Sequence, residues 1–157
     1  MQRYLIALGS NVRHHRFGPP EAVLGAALSA LAAAELRVER VSRVISTAPL
    51  GPSRRRYANA AAIVATGLAP DALLCRLKTI ERAFGRRAGR RWAARVLDLD
   101  IVLWEGGAWS SPGLTVPHVA FRNRRFVLEP AAAIAPGWRD LLTGRTLRQL
   151  AGRRYTF

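Results

Sequence analysis

The stretch Val96-Leu97-Asp98-Leu99-Asp100-Ile101-Val102-Leu103 is an apolar run interrupted only by two aspartates one residue apart. Alternation at a period of two makes it a β-strand. Leu97, Leu99 and Ile101 then face a core, and Asp98 and Asp100 project side by side from the opposite face. Two parallel carboxylates repel each other unless a cation sits between them. Hard divalent ions such as Mg²⁺ take oxygen ligands, are held by one or two carboxylates, and complete their shell with water and substrate phosphate. The arginines just upstream, at 86, 87, 90, 91 and 95, carry a rigid fork of donors suited to the remaining phosphate charge. The plainer alternative is an edge strand whose outer face carries two acids.

Around this strand the chain falls into a short series of elements. Residues 3–8 read as a buried strand closed by the turn signal Gly9-Ser10-Asn11. Pro19-Pro20-Glu21 opens an alanine- and leucine-rich helix to about residue 34. Residues 36–47 and 58–66 read as strands, separated by a stiff basic loop over 48–56. Pro70-Asp71 starts a second helix, with Leu73, Leu74, Leu77 and Ile80 at spacings of three and four, and Gly85 stops it. Residues 86–95 form a glycine- and arginine-rich loop, suited to a lid over phosphates. Beyond the aspartate strand come a turn at Glu105-Gly106-Gly107, an extended piece at Leu114-Thr115-Val116, and short helices over 126–135 and 146–151. Strand, helix, strand, strand, helix, strand is the split βαβ or ferredoxin-like order. It predicts an α+β fold: an antiparallel sheet covered by two helices, with a C-terminal extension.

Bulk properties bound the function. A chain of 157 residues suits one domain spanning its whole length. No apolar run is long enough to span a membrane, and the N-terminal segment does not have the layout of a signal peptide. The single cysteine, Cys75, excludes an internal disulfide and a cysteine-built metal site. These features predict a cytoplasmic protein with no membrane partner, and no exposed apolar stripe calls for oligomerisation. The formal charge of +15 points to a polyanion partner. That charge is almost all arginine, with Lys78 the only lysine, and it is scattered along the chain, as a coding bias toward arginine would leave it.

Three irregular segments converge on one end of such a sheet: the Asn11 turn, the loop over 49–57 and the loop over 86–95. Two Mg²⁺ ions bridged by Asp98 and Asp100 would neutralise a triphosphate and clamp the attacking and leaving oxygens. Arg86, Arg91 and Arg95 would meet charge developing on the transferred group. His118 is placed to bond a phosphate, or else is an ordinary structural histidine. Tyr57, Trp92 and Phe126 are suited to stacking on a flat heterocycle, and Asn59 offers it both a donor and an acceptor. No Walker-type loop, zinc-spaced histidine pair or Ser/His/Asp set competes.

In chain order, Tyr4-Leu5-Ile6-Ala7-Leu8-Gly9-Ser10-Asn11, Thr47-Ala48-Pro49-Leu50-Gly51-Pro52, Tyr57-Ala58-Asn59-Ala60 and Ile80-Glu81 followed by Gly85-Arg86 form a pattern. Arg91-Trp92-Ala93-Ala94-Arg95, Leu97-Asp98-Leu99-Asp100-Ile101, Val116-Pro117-His118, Arg124-Arg125-Phe126-Val127-Leu128 and Ile134-Ala135-Pro136 continue it. Together they closely resemble the 6-hydroxymethyl-7,8-dihydropterin pyrophosphokinase family of the folate pathway, over nearly the whole chain. The resemblance implies a ferredoxin-like monomer that moves the pyrophosphoryl group of ATP to the pterin hydroxymethyl group and releases AMP. It implies that Asp98 and Asp100 bind two magnesium ions, with Asp98 also assisting transfer. Thr47, Leu50, Tyr57, Asn59, Trp92 and Phe126 match pterin-pocket positions, and Tyr57 and Phe126 would sandwich the ring. Arg86 and Arg95 would assist transfer from a mobile loop that also carries Arg91 and Trp92. Arg91, Trp92, Arg95, Ile101, Thr115, His118 and Arg124 match nucleotide contacts, while Asn11 and Glu81 would organise loop and pocket.

This chain departs from the family pattern at Ala48 and at Ala93-Ala94, where prolines and a glycine are usual. It departs again at Lys78, Gly113 and Val119, where glutamine, arginine and an aromatic are common. No metal ligand or stacking residue is lost. Two other readings follow from the residues: a diverged relative that binds pterin or nucleotide without turnover, and a basic ferredoxin-like nucleic-acid module. The second is disfavoured because the strand that should display stacking aromatics carries two acids.

Overall fold

The computed structural model describes residues 1–11, 14–47, 57–85 and 96–153. Strand β1 (Gln2–Ser10) lies between β4 (Tyr57–Thr66) and β5 (Asp98–Trp104), antiparallel to both. Strand β2 (Arg37–Val41) flanks β4, giving the order β2-β4-β1-β5, and the short β3 (Ile45–Thr47) pairs with the start of β4. The inner strands β1 and β4 are apolar on both faces, as strands covered on both sides must be, and β2 and β5 carry the polar side chains at the edges.

Two expectations change here. β1 does not stop at Leu8: Gly9 and Ser10 pair with Asn59 and Ala58, because ladder partners on the long neighbour β4 outweigh a local turn signal. Residues 36–47 form two strands rather than one. At the break, the Ser42 N–H donates to the Ala61 carbonyl at 2.8 Å and the Ser42 hydroxyl accepts the Ala61 N–H at 2.8 Å. The side chain thereby satisfies a buried backbone donor that the bent strand could not.

Helices α1 (Pro20–Ala33) and α2 (Pro70–Ala83) cover one face of the sheet. Val23, Leu24, Ala27 and Leu31 of α1 and Leu73 and Leu77 of α2 pack with Tyr4, Ile6, Leu8, Leu99 and Ile101. Each helix has proline at its first position and an acid in its first turn, both favourable at a helix N-terminus.

The other face is covered as well, so the C-terminal extension is a second layer and not a tail. Helices α3 (Arg125–Ile134) and α4 (Leu147–Ala151) bring Val127, Leu128, Ala131, Leu147 and Leu150 into a core with Leu5, Ala61, Ile63, Val102 and Leu103. Thr146 caps α4 in a reciprocal box with Gln149. Fully buried Asp140 anchors this layer: Arg122 donates to both its oxygens at 2.6 Å, and the Thr143 hydroxyl and Leu142 N–H add further bonds. Burial alone would raise the Asp140 pKa, but these donors hold it down at about 2. Between β5 and α3, β6 (Trp109–Ser111) and β7 (Leu114–Val116) form a separate hairpin.

The whole is a mixed α/β architecture, an antiparallel sheet with four described helices. None of them is long and apolar enough to cross a membrane.

Candidate active site

Strand parity puts the two aspartates where the sequence requires. Leu97, Leu99 and Ile101 are buried in the first core, and Asp98 and Asp100 stand half-buried on the opposite face. On that face Asp98, Gly9 and Asn59 form one row across β5, β1 and β4, and Asp100, Ala7 and Ala61 form the next. The floor beside the carboxylates is therefore built from the smallest side chains. A Cβ at Gly9 would lie 3.2 Å from the Asn59 Oδ1 and 4.0 Å from the Asp98 Cβ. Glycine thus keeps open a cradle between one carboxylate and one amide. Oxygen-only donors bordering an open cradle fit a hard divalent cation.

A β-bulge ends this face. Leu5 pairs with Leu103 but Ile6 with Ile101, leaving Val102 as the extra residue. Val102 follows Asp100 on the same face by ordinary alternation, and the bulge reverses the parity after it, so that Leu103 enters the second core as well. The Val102 carbonyl accepts the His118 N–H at 3.0 Å, which anchors His118 beside the strand.

Edge strand β5 has β1 on one side only. On the other, the Leu99 N–H donates to Glu81 Oε1 at 3.0 Å, so α2 satisfies the donor on the residue between the two aspartates. The Glu81 side chain is fully buried and paired with Lys78, whose Nζ lies 3.2 Å from Oε1 and 3.1 Å from Oε2. A buried carboxylate needs such a partner.

Next to Asp100 opens a cleft of about 310 Å³, walled by Leu74 and Lys78 of α2, Asp100 and Ile101 of β5, the hairpin from Ser111 to Thr115, and His118. The hairpin is tied down because Asp71 Oδ1 accepts both the Ser111 hydroxyl and the Trp109 Nε1–H. His118 Nδ1 accepts the Ala120 N–H at 3.1 Å, which leaves Nε2 to carry the proton of the neutral ring. Burial, with help from Arg124, pushes its pKa below the usual value against the pull of Asp100. The Nε2–H of the neutral ring is a donor that a phosphate oxygen can accept.

The structure thus gathers Ile101, Thr115 and His118 with Asp100 in one cleft, and Asn59 with Asp98 on one face. Tyr57, two residues before Asn59 on the same face of β4, and Phe126, in the first turn of α3, are each about two-fifths exposed. The Arg124 guanidinium lies 5.9 Å above the Phe126 ring. Thr47 ends β3 opposite Tyr57. At the end of β1, Asn11 Oδ1 is buried with no hydrogen-bond partner among the described residues. Leu50, Arg86, Arg91, Trp92 and Arg95 lie outside the described residues, as do the two long loops expected to converge here. Sequence reasoning did not connect Gly9, Leu74, Lys78 and Ser111 to the site. The one available signal was that Leu74 and Lys78 lie on the same helical face, one turn apart.

The model of the family 7,8-dihydro-6-hydroxymethylpterin-pyrophosphokinase (HPPK) matches residues 5–136. A Pseudomonas aeruginosa protein named 2-amino-4-hydroxy-6-hydroxymethyldihydropteridine pyrophosphokinase is 41% identical over 152 residues, 96% of this chain and 90% of that one. A Synechocystis protein of the same name is 36% identical over 147 residues, 93% of this chain and 73% of its own. Among solved structures, the crystal structure of Plasmodium falciparum HPPK-DHPS wild type with STZ-DHP superposes at a TM-score of 0.73 with 13% identity. It covers 96% of this chain, which spans 42% of that one, and the likeness speaks for the fold alone. A match running from the first strand through α3, with whole-length relatives at this identity, establishes that the chain belongs to the HPPK family.

Proposed function

We propose that this protein transfers the pyrophosphoryl group of ATP to the hydroxymethyl group of 6-hydroxymethyl-7,8-dihydropterin and releases AMP, a step of folate biosynthesis. The observation that carries the reading is the junction at Asp100. There a two-carboxylate face with a small-residue floor meets a cleft lined by Ile101, Thr115 and His118. One side takes a flat heterocycle and the other a nucleotide, with the acids between them.

Asp98 and Asp100 would hold two Mg²⁺ ions; when bound, these neutralise the triphosphate and make its β-phosphorus electrophilic. Tyr57 and Phe126 would stack on the two faces of the pterin, and their exposure is what a ring-binding site needs before its ligand arrives. Asn59 would bond the ring edge, with Thr47, Leu50 and Trp92 completing the pocket. Thr115, His118, Arg124 and the Ile101 backbone would hold the nucleotide together with Arg91, Trp92 and Arg95. Arg86 and Arg95 would meet charge on the group in transfer, and Asn11 would offer its buried oxygen to a donor that closes over the site. The pterin hydroxyl attacks the β-phosphorus, and the bond to the α-phosphate oxygen breaks.

The strand order β5-β1-β4-β2, all antiparallel, supports a ferredoxin-like assignment with the α3–α4 layer added. A single domain over 1–157, a monomeric state and a cytoplasmic location belong to the same proposal. The test is incubation with ATP, Mg²⁺ and the reduced pterin. AMP formed in equal amount with the diphosphorylated pterin is the expected result; ADP, or no turnover, would overturn it.

A further inference from the structure

We propose that Asp71 is a positioning residue: from the first turn of α2 it latches the β6–β7 hairpin against the helix and so fixes the width of the cleft beside Asp100, without touching the ligand. This rests on the reading of that cleft as the nucleotide site.

One wall of the cleft is α2 and the other is the hairpin, which lies outside the five-stranded sheet. The hairpin wall is slight, because β6 and β7 pair over only three residues each. A two-stranded hairpin of that size is marginal in water on its own. Leu114 and Val116 seat β7 in the first core, whereas Trp109 and Ser111 of β6 are only partly buried. A triangle of hydrogen bonds fastens β6. The Ser111 hydroxyl donates to Asp71 Oδ1 at 2.5 Å, and the Trp109 indole N–H is shared between Ser111 Oγ at 3.0 Å and Asp71 Oδ1 at 3.2 Å. The Trp109 ring also stands edge-on to Trp104 of β5, with centroids 5.8 Å apart. Asp71 precedes Leu74 and Lys78 by three and seven residues, so the carboxylate sits on the same helical stripe that forms the opposite wall. Asp71 itself is exposed and does not line the cleft.

A latch of this kind acts on binding through preorganisation. A hairpin held in place offers the nucleotide a ready wall. A hairpin in place only part of the time raises the apparent dissociation constant by the reciprocal of that fraction. Saturating nucleotide refills the closed state, so turnover at saturation keeps its rate. The signature of the latch is therefore a raised KM for ATP at constant kcat.

Titration of α,β-methylene-ATP with Mg²⁺ into wild type, Asp71→Ala, Asp71→Asn and Trp109→Phe tests this, alongside thermal melts and steady-state kinetics. Asp71→Ala should weaken the analogue about fivefold and raise the KM for ATP in step, with kcat and the KM for pterin at saturating ATP within about twofold of wild type. Asp71→Asn keeps an acceptor and should bind the analogue within about twofold of wild type. Trp109→Phe removes one side of the triangle, keeps an aromatic ring, and serves if Asp71→Ala does not fold; it should weaken the analogue about threefold. Amide exchange over residues 109–116 should quicken in Asp71→Ala and return to the wild-type rate with saturating analogue. A lowered melting temperature with unchanged affinity would reduce the latch to a packing contact and overturn the assignment, as would equal losses in Asp71→Ala and Asp71→Asn. Wild-type protein that does not bind the analogue would overturn the nucleotide reading of the cleft itself.

Discussion

The carboxylate of Glu81 accepts the N–H of Leu99 at 3.0 Å, so a fully buried acid on a helix holds the strand residue that separates the two site aspartates. This bond does for the free edge of β5 what a further strand would otherwise do. Glu81→Ala would leave a buried N–H unsatisfied and Lys78 without its partner. It should lower stability by about 1–3 kcal/mol in urea denaturation and reduce turnover with it. Glu81→Gln keeps an acceptor for Leu99 and should recover part of both. Equal stability of the two variants would count against the bond.

Asp98 and Asp100 stand on one strand face at the spacing where like charges repel. Asp98→Asn and Asp100→Asn should each cut pyrophosphoryl transfer at least about a hundredfold, as loss of a metal ligand or electrostatic anchor does. The melting temperature should hold or rise. Near-normal turnover in either variant would return the pair to an ordinary polar strand face.

Gly9→Ala places a methyl 3.2 Å from the Asn59 Oδ1, a contact the amide can relieve only by shifting a few tenths of an ångström. The strand itself tolerates alanine. We expect a melting temperature within a few degrees of wild type and turnover on the pterin reduced roughly tenfold, the loss expected from sub-ångström misplacement of a binding group. A variant that loses stability but not activity would show that the cradle is only packing.

Asp140 is held near a pKa of about 2 against an ordinary value of 3.8. The folded form is the stronger acid, so this contribution to stability is complete above pH 3.8 and is lost as the pH falls toward 2. It is on the order of 2 kcal/mol. Stability measured from pH 5 to pH 2 should fall more steeply in wild type than in Asp140→Asn, which starts lower because the Arg122 ion pair at this position is lost. Parallel curves would assign the acid sensitivity to other groups.

His14 titrates with the same sign. Its Nδ1 accepts the N–H groups of Arg16 and Phe17, and its ring stacks on Phe17 at 4.6 Å. Burial, with His15 and Arg16, lowers its pKa. The turn over 14–18 should therefore be firmest above pH 6.5 and loosen as the pH falls. A Phe17 amide protection factor, taken against the intrinsic exchange rate at each pH, that does not fall below pH 6 would refute this.

Much of the site was legible because strand periodicity fixes side-chain faces without knowledge of neighbours. Asp98 and Asp100 on one face, Leu97, Leu99 and Ile101 on the other, and α2 with its apolar stripe all follow from spacing, and the structure has them so. The end of β1 and the break at Ser42 were not legible. Each depends on which partner strand supplies hydrogen bonds, and local turn propensity carries no information about that. The bulge at Val102 escaped for the same reason, since it exists only as a mismatch between β5 and β1.

The sequence by itself determined two acids on one face of a strand and an ordered set of motifs that names a family. Tertiary structure alone decided what surrounds the acids. It set Gly9 between Asn59 and Asp98, brought Glu81 to the edge of β5, and placed Lys78 with Thr115 and His118 in one cleft. These contacts join residues from 18 positions apart, Glu81 and Leu99, to 89 positions apart, Gly9 and Asp98. Pairing at that separation is set by the sheet register and by burial of a shared core, which no local window of sequence contains.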